Sequence, residues 1–411
     1  RVVDSFDKAS FILLRKNPAW WGANLPKCRG RHNFDRIKIH IFLDELPGRQ
    51  LLKNGNVDCD QVSSSKDWRF EFNGDSFRKN YAVRAVLPST RVCNMQSMGF
   101  NLRRPEFQDI RVRKAMAGVF DFEYMNRNLF YGQYTRMMNY WDNSPELTAR
   151  GPAAGRVRET LLELREKYNK DGAVRVPREA IARGPYVVGM GPDGKMLPIA
   201  ERVQAANEYL DAIGWEFDAE AGARAKNGVV LSFEIMLAGP GFQRICNPFI
   251  EKLREIGVNA RIQIVQLAEY EKRLREMDYD MIVFNQLDTD SPGFEQRDSW
   301  TSAAADTPGS WNMLGIRNPA VDDLVERIIA SQSRKELVEN TQALDRVLCA
   351  SHYSIPHWYS GGDRVIFWNR LGHPPKYASH FKFPEVVLDH WWFDAAKDAA
   401  LKQAMAAGAP F

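Results

Sequence analysis

The feature that most constrains the fold is an alternation of strand and helix patterns in the middle of the chain. Apolar and alternating stretches predict strands at residues 229–237, 259–265 and 280–285. Apolar residues at helical spacing predict helices between them, at residues 247–256 and 267–276. A strand–helix–strand–helix–strand order is typical of a parallel sheet whose strands are joined by crossover helices. We therefore expect an α/β fold.

Regular elements are also predicted on both sides of this unit. Asp109 occupies a position typical of a helix N-cap, and apolar residues follow it at helical spacing. Between residues 144 and 200, Gly and Pro recur, which favours an irregular wrap or lid around a single helix. Further patterns predict helices at residues 157–168, 200–213, 319–331 and 334–350, and strands at residues 354–359 and 364–368.

Composition excludes several classes of protein. The chain has 411 residues, of which 44% are hydrophobic and 26% charged, so an intrinsically disordered chain is excluded and two or three domains are expected. No run of about 18 apolar residues occurs, so we expect a protein that does not span a membrane. Five cysteines are too few and too scattered for a disulfide scaffold.

Charge is distributed unevenly along the chain. Residues 1–115 contain 22 Lys and Arg against 12 Asp and Glu, whereas residues 116–411 contain 34 against 40. A basic segment can contact nucleic acid, an anionic membrane surface or an acidic partner. Because no Lys/Arg run exceeds three residues and the aromatic residues form no stacking ladder, we favour a solvated or internally paired basic face and expect no nucleic acid to bind.

Motifs of enzymes and metal sites are weak in this sequence. Cys349, His352 and His357 have the residue types of a metal site, but their spacing matches no common zinc pattern. Neither a nucleophile elbow nor a phosphate-binding loop occurs. Neighbouring acids such as Asp288 and Asp290 are more typical of caps and solvated faces than of acid–base catalysis. We therefore expect no catalytic residues, no metal and no cofactor.

Several segments together resemble a known family, in the family's order and over nearly the whole chain. The segments are SFILLRKNPAWWG (10–22), FNLRRPEFQDIRVRKAMAGVFDFEYMNRNLFYGQY (100–134), VQAANEYLDAIGW (203–215), EKLREIGVNARIQIVQLAEYEKRLREMDYDMIVFNQ (251–286) and SPGFEQRDSWTSAAADTPGSWNMLGIRNPAVDDLVERII (291–329). The sequence resembles the family 5 extracellular solute-binding proteins, the peptide-, nickel- and related binding components of ABC importers. The last segment is most similar to the subgroup that binds oligopeptides and microcin C.

The resemblance implies a periplasmic-binding-protein type II fold, in which two α/β lobes are joined by hinge strands. On this basis we expect residues 1–100 to form part of the first lobe and residues 101–360 to form the second lobe. Residues 361–411 would be a C-terminal return to the first lobe. The candidate hinges are residues 98–101 and 355–359.

The resemblance also implies a function. It predicts the periplasmic substrate-binding protein of an ABC importer, which binds an oligopeptide or peptide-like ligand by lobe closure and then docks on the transporter permease. Two alternatives remain open at this point. One is a hydrolase of peptides or peptidoglycan fragments, and the other is a stand-alone peptide-binding or chaperone-like protein.

Candidate ligand-binding residues are concentrated in a polar and aromatic segment that follows the strand predicted at residues 280–285. In α/β sheets ligands bind beyond the carboxyl ends of strands. There a buried carboxylate can pair with a peptide ammonium, and Trp supplies contact area. We expect Asp298 and Trp300 to line the cleft, with Asn101 and Asn285 nearby on its floor. The full candidate set is Asn101, Asn285, Asp288, Glu295, Arg297, Asp298, Trp300, Ser302 and Trp358.

One departure from the family concerns the start of the chain. Members of the family have a long N-terminal stretch ahead of the position of Arg1, and it supplies strands to the first lobe. We therefore expect residues 1–411 to be a portion of a longer, signal-bearing precursor. Without that stretch, apolar faces such as Phe34, Ile37 and Ile39 would lack cover, and we expect the chain alone to self-associate.

Overall fold

The chain divides into two compact units. The computed structural model describes residues 1–7, 10–42, 45–170, 172–185 and 187–411. Unit 1 contains Arg1–Arg91, Asn128–Gln133 and Ser360–Phe411, and unit 2 contains Val92–Arg127 and Tyr134–Tyr359. The chain therefore passes from one unit to the other after Arg91, Arg127, Gln133 and Tyr359.

Strands and helices are numbered along the described chain. The strands are β1 (Val2–Asp7), β2 (Phe11–Arg15), β3 (Arg36–His40), β4 (Cys59–Gln61), β5 (Ala82–Pro88), β6 (Met95–Phe100), β7 (Thr135–Arg136), β8 (Glu216–Asp218), β9 (Ala223–Lys226), β10 (Val229–Val230), β11 (Ser232–Leu237), β12 (Asn259–Ile264), β13 (Met281–Gln286), β14 (Ser354–Pro356), β15 (Trp358–Tyr359), β16 (Gly362–Trp368), β17 (Leu371–Gly372) and β18 (Trp392–Phe393). The helices are α1 (Glu45–Lys53), α2 (Ser65–Phe70), α3 (Asp75–Arg78), α4 (Ile110–Gly118), α5 (Phe122–Asn128), α6 (Gly155–Tyr168), α7 (Glu179–Ala182), α8 (Ile199–Asp211), α9 (Gln243–Glu255), α10 (Leu267–Arg275), α11 (Gln296–Trp300), α12 (Pro319–Ala330), α13 (Arg334–Ala350), α14 (Glu385–His390) and α15 (Ala395–Ala407). Short 3-10 turns lie at Pro26–Cys28, Pro105–Phe107 and Pro240–Phe242.

Unit 1 is built from small antiparallel sheets. One sheet has the order β1–β2–β3 and another the order β4–β16–β5, while β17 pairs with β18. Strand β16 is buried along most of its length and supplies Val365 and Phe367 to a core that also contains Leu87 and Trp391. The last part of the chain thus packs with strands from the first ninety residues inside one unit.

Unit 2 is organised around a five-stranded mixed sheet of order β12–β11–β13–β6–β14. Strand β11 pairs in parallel with both β12 and β13, which follow it through the crossover helices α9 and α10. Strand β6 runs antiparallel to both β13 and β14. The predicted strand–helix–strand–helix–strand order and the α/β fold are therefore confirmed.

Three helices of unit 2 begin directly after a residue whose side chain caps the helix. The Asn318 side chain accepts from Ala320 N at 3.0 Å and starts α12, and Ser333 Oγ accepts from Glu336 N at 3.2 Å and starts α13. Asp109 caps α4 in the same way, through Arg111 N at 2.8 Å. Such side chains satisfy backbone N–H groups that have no partner inside the helix, so they fix where each helix begins.

The main core of unit 2 lies where α6, α12 and α13 pack together. Its fully buried side chains include Trp141, Leu161, Leu164, Trp300, Leu324, Val325, Leu344 and Val347. Burying one such aliphatic side chain contributes about 1.5–3 kcal/mol to folding. No helix in the described part of the chain is long and apolar enough to cross a membrane.

Two edges of the unit 2 sheet matter for the site. At the carboxyl edge, β11, β13 and β14 end at Leu237, Gln286 and Pro356, and β6 begins at Met95. At the amino edge, β13 begins at Met281, directly opposite the last residue of β6, Phe100. Because β6 runs antiparallel to β13 and β14, its first residue lies at the carboxyl edge and its last residue at the amino edge.

Candidate functional site

The carboxyl edge of the unit 2 sheet is the natural place for a ligand, since parallel strands present free backbone and side-chain groups there. Asn285 lies one residue before the end of β13 and is exposed to solvent. Gln96 lies opposite Asn285 on β6. Asp288 follows two residues after β13. Two of the predicted residues, Asn285 and Asp288, are thus placed at this edge.

Asp288 is a buried carboxyl group without a hydrogen bond. Neither of its side-chain oxygens has a hydrogen-bond partner in the described part of the chain, and the residue is 9% exposed. Burial raises the pKa of Asp288 well above its usual range, and the nearby carboxyl groups of Asp345 and Glu295 raise it further. The side chain of Gln296 lies beside Asp288 and opposes that shift. Burial therefore favours the protonated form of the Asp288 carboxyl group.

His357 lies in the centre of an aromatic stack at the same edge. Its backbone N donates to Gln96 O at 2.9 Å, and its Nδ1 lies 3.2 Å from Gln96 Oε1. Its ring stacks on Trp358 at 4.8 Å, Phe120 at 5.5 Å and Phe242 at 6.0 Å between centroids. Burial, with a smaller effect of the Arg136 charge, lowers the pKa of His357 to about 3. The imidazole is therefore neutral at physiological pH.

Trp358, another predicted residue, connects this aromatic stack to the short antiparallel pair of strands β7 and β15. It pairs with Arg136 where β15 meets β7, and it is half-buried. The Arg136 side chain is 8% exposed. Its Nη1 donates to both carboxylate oxygens of Glu123, at 3.2 and 3.1 Å. Burial lowers the pKa of Arg136, and the Glu123 carboxylate opposes that effect.

Three other predicted residues border an open groove beside α11 and α12. Glu295, Arg297 and Asp298 line it together with the exposed ring of Phe294. Arg297 donates to both oxygens of Glu326, at 2.7 and 2.6 Å. The groove has one guanidinium, that of Arg297, and four carboxyl groups, those of Glu295, Asp298, Asp322 and Glu326. The groove therefore suits a cationic group.

Ser302 and Trp300 lie next to this groove but have structural roles. Ser302 donates from its backbone N and from its Oγ to the two carboxylate oxygens of Asp322, both at 2.7 Å. Trp300 is 1% exposed, and its Nε1 donates to Gln296 Oε1 at 2.8 Å. Its ring meets Tyr140 edge-on inside the main core. The structure thus places Trp300 in the core, because its indole finds there both apolar contacts and a hydrogen-bond acceptor.

Asn101 is not brought together with Asn285, contrary to the expectation of a shared floor. It follows the last residue of β6 and lies at the amino edge, where its Nδ2 donates to Met277 O at 3.1 Å and to Tyr279 O at 2.6 Å. The physical reason is the antiparallel pairing of β6 with β13, which places Asn285 opposite Gln96. Asn101 is 0% exposed and ties the start of β13 to the end of β6.

Sequence reasoning did not select Arg136, Gln96 or Phe242, and it considered His357 as a metal ligand alone. His357 carried one usable signal, since it directly precedes Trp358 in the segment predicted as a strand and candidate hinge. Arg136 carried none, because its neighbours Glu123 and Trp358 come from separate elements that no sequence pattern joins to it. Among the residues that the structure describes, no group of three or more His, Cys, Asp or Glu side chains is placed to hold a metal ion.

Solved structures share this fold. The oligopeptide-binding protein AppA from Bacillus subtilis, solved in complex with a nonapeptide, matches with a TM-score of 0.63 and 16% identity, over 95% of this chain and 65% of that one. DppA from Helicobacter pylori, in complex with the peptide STSA, matches with a TM-score of 0.65 and 14% identity, over 95% and 62%. The fold is the periplasmic-binding-protein type II fold.

Sequence relatives agree with the structural match. The probable peptide-binding protein YejA of Agrobacterium fabrum is 33% identical over 388 residues, which are 93% of this chain and 60% of that protein. The peptidoglycan-binding protein YepA of the same organism is 32% identical over 374 residues, or 88% and 58%. This chain thus spans about three fifths of the length of these relatives.

The family assignment follows from a match along most of the chain. The family described as bacterial extracellular solute-binding proteins, family 5 Middle, matches residues 2–307. This range includes all of the five-stranded sheet of unit 2 except β14. The chain belongs to the family 5 bacterial extracellular solute-binding proteins.

Proposed function

We propose that this chain is the ligand-binding part of a periplasmic receptor for an ABC importer. The ligand is an oligopeptide or a peptide-like molecule, bound by lobe closure, and the loaded receptor then docks on the transporter permease. Membership of the solute-binding family and relatives named for peptide binding support this proposal. Binding, and not catalysis, is the proposed activity.

The observation that carries the proposal is the chemistry of the carboxyl edge. His357 Nε2 has no partner in the described part of the chain, and the His357 ring stacks on the partly exposed rings of Trp358 and Phe242. Asp288, two residues after β13, likewise keeps both carboxyl oxygens without a partner there. A peptide offers ammonium, carboxylate and amide groups together with apolar side chains. Such an edge can therefore satisfy a peptide's polar groups while its aromatic rings bury apolar surface.

The roles of the predicted residues follow from their positions. We assign Asn285 and Trp358 to contacts with the peptide backbone and side chains at the carboxyl edge. Glu295 and Asp298 would attract a cationic group of the ligand to the groove, where Arg297 is already engaged by Glu326. Asp288 would accept the ligand ammonium once a change in that segment exposes its carboxyl group.

A peptide derived from peptidoglycan is a second candidate ligand. The printed name of the relative YepA, peptidoglycan-binding protein, favours it. Such a fragment combines peptide groups with additional free carboxyl groups. It would use the same edge and require no different mechanism.

Native mass spectrometry of the purified chain tests the proposed function. We expect co-purifying peptide, and uptake of peptides from an added casein hydrolysate and from a peptidoglycan digest shows which ligand class is preferred. The same mixtures are then analysed after release from the protein. Release of intact peptides supports a binding protein, whereas shortened products would establish a hydrolase and overturn the proposal. Failure to retain any peptide would also overturn it.

A further inference from the structure

A cavity in unit 1 has a lining of basic side chains. Its volume is about 380 Å³, and it is formed in part by residues that directly follow β2. Arg1, Lys16 and Arg31 line it, and the described residues around it include no Asp or Glu. Lys16 and Trp20, which also lines it, are exposed, so the cavity opens to solvent. Cavities of roughly 300–1,000 Å³ are the size that small ligands occupy.

Two donor groups of this cavity are uncommitted. The Lys16 ammonium makes no ion pair or hydrogen bond to another described residue, and only the Lys16 backbone N is engaged, by Asp35 O at 2.8 Å. Asn17 Oδ1 accepts from Ala19 N at 3.0 Å, and the Nδ2 of Asn17 is left without a partner in that part of the chain. Ammonium and amide nitrogens donate and do not accept. Both groups can therefore donate to a ligand without breaking an existing contact.

The other basic side chains of the cavity are held in position by the protein. The Asp389 carboxylate accepts from Arg31 Nη2, and its second oxygen lies 2.9 Å from His32 Nδ1. Backbone contact supports this arrangement, since His32 N donates to Asp389 O at 2.8 Å. Arg1 Nη1 donates to Phe34 O at 2.6 Å. These contacts fix the side chains of Arg1, Arg31 and His32 at the cavity wall before any ligand arrives.

The charges around the cavity favour an anion. Arg1, Lys16 and Arg31 carry three positive charges. Two carboxylates lie near them, because Asp389 pairs with Arg31 and both Asp389 and Asp35 interact with the Arg1 charge. A positive charge therefore remains, and a concave surface of one sign attracts ligands of the opposite sign. Since Lys16 is exposed, this attraction should weaken as the salt concentration rises.

Trp20 supplies the apolar wall of the cavity. Its indole is 36% exposed and meets the His32 ring edge-on, with centroids 5.6 Å apart. A Cβ atom at position 22 would lie 2.6 Å from Cζ2 of Trp20, so it is Gly22 that allows the indole to lie against the backbone there. The indole is thus fixed on one side by the protein, and its exposed part can bury the face of a ring on the ligand.

We propose that this cavity binds a small ligand in which an oxyanion is attached to a ring, such as an acidic sugar. Arg1, Lys16 and Asn17 donate to the oxygens, and the ring packs on Trp20. The oxyanion is a carboxylate or a phosphate, since both present acceptor oxygens to the same donors. This site lies in unit 1 and goes beyond the proposed function, whose assigned contacts all lie in unit 2.

Calorimetric titration of the purified chain with matched pairs of probes tests the proposal. N-acetylmuramate is compared with N-acetylglucosamine, which lacks its carboxylate, and glucose 6-phosphate is compared with glucose. We expect an anion to bind about tenfold more tightly than its neutral counterpart, because charge-assisted hydrogen bonds are the strong ones. The pair with the larger difference identifies the oxyanion as carboxylate or phosphate. Inorganic phosphate, which has no ring, should bind more weakly than glucose 6-phosphate.

Three variants assign the binding to this cavity. Lys16→Gln should weaken the binding of the preferred anion about two- to fivefold, as expected for one exposed charge, and should reduce its dependence on salt. Lys27→Gln is the matched control, because Lys27 is also exposed and lies in the same segment but does not line the cavity. It should leave the affinity unchanged. Trp20→Ala should reduce the affinity for glucose 6-phosphate to that for inorganic phosphate.

Each result either supports or overturns the proposal. Equal affinity of the unmodified chain for the anions and their neutral counterparts, or binding of none of the probes, would overturn it, and neither result depends on a variant folding. Anion binding that is unchanged in a folded Lys16→Gln variant would overturn its assignment to this cavity. Equal binding of inorganic phosphate and glucose 6-phosphate would overturn the ring contact with Trp20. Peptide retention, which tests the proposed function, is measured separately from all of these.

Discussion

The two edges of the unit 2 sheet contain similar residue types but use them differently. At the amino edge, Asn101 Nδ2 bonds two carbonyls, and Arg103 donates to carbonyls of Ala305, Asn312 and Met313 and to Asn101 Oδ1. At the carboxyl edge, the buried polar atoms Asp288 Oδ1 and Oδ2, His357 Nε2, and Arg136 Nε and Nη2 have no partner in the described part of the chain. The named polar groups of the amino edge are thus hydrogen-bonded within the protein, whereas the named atoms of the carboxyl edge are not.

This difference distinguishes polar groups that hold the fold together from polar groups that remain without a partner. A buried donor or acceptor without a partner lowers the stability of the folded chain by about 1–3 kcal/mol. Several such groups at one place are therefore expected only where another interaction compensates for that loss. The amino edge has used its polar groups to hold β6, β13 and the 303–317 segment together. The carboxyl edge leaves several buried polar atoms without partners in the described part of the chain, and it is there that we propose the ligand binds.

The largest expected effect concerns two asparagines on opposite edges. Asn101→Ala removes the two hydrogen bonds that Nδ2 donates to carbonyls and the two that Oδ1 accepts from Arg103, so it should lower the free energy of unfolding by about 3 kcal/mol. Asn285→Ala, at an exposed position, should change it by less than about 0.5 kcal/mol. Urea denaturation measures both. An equal loss of unfolding free energy in the two variants would contradict the proposed difference between the edges.

A smaller effect is expected on binding at the groove that follows β13. Asp298 is exposed and accepts from Trp311 N at 3.1 Å. Asp298→Ala should weaken peptide binding by roughly 1–3 kcal/mol if this carboxylate pairs with a ligand ammonium. Asp306→Ala is the control, since Asp306 is also exposed but pairs with Arg103 and Arg317. Unchanged affinity by calorimetry, with the fold intact, would remove Asp298 from the site.

The third prediction uses the pH dependence of stability. The folded-state pKa of Asp288 is raised above its unfolded value of about 4, so the folded chain binds more protons and loses stability as pH rises from there. Asp345, with a pKa of about 7, acts in the same direction. Asp288→Asn removes one of these terms. Its melting temperature should therefore exceed that of the unmodified chain by more at about pH 8 than at about pH 5.

The groups that face Asp288 limit how this result is interpreted. Asp345 on α13, Glu295 and Gln296 beside α11, and the Tyr140 hydroxyl all interact with it. Glu295→Gln is therefore a useful companion variant, because it removes a neighbouring charge and leaves Asp288 in place. A gain for Asp288→Asn that is the same at both pH values would show that Asp288 is ionised in the folded chain, against the proposed neutral acid.

The smallest expected effect is that the His357 ring does not change its protonation state between about pH 5 and about pH 8. With a pKa of about 3, His357 should remain neutral from about pH 5 to about pH 8, and its ring proton resonances should not move in that range. Because this pKa is below the unfolded value of about 6.5, the stability contributed by the neutral ring is present above that value and is lost as pH falls toward 3. A midpoint near 6.5 would show that the ring is reached by solvent.

Local elements were predictable wherever their signals are local. The order of strands and helices from β11 to β13 follows from apolar spacing, and the start of α4 follows from Asp109 as its cap. The predicted strand at 354–359 instead divides into β14 and β15, because β14 pairs with β6 and β15 pairs with β7. A strand's partner depends on the whole sheet, which periodicity alone does not specify.

By itself, the sequence determined the α/β class and the family, because periodicity, caps and motif order are properties of neighbouring residues; the binding role of the segment after β13 stays a prediction. Tertiary structure alone decided which polar groups are free. Asn101 became structural through Met277 and Tyr279, and Trp300 through Gln296 and the core. Arg136 keeps Nε and Nη2 without a partner among the described residues, in a place formed by Glu123, Phe120 and residues more than two hundred positions away. Whether a buried polar group is satisfied depends on partners brought together by folding, and no local pattern contains that information.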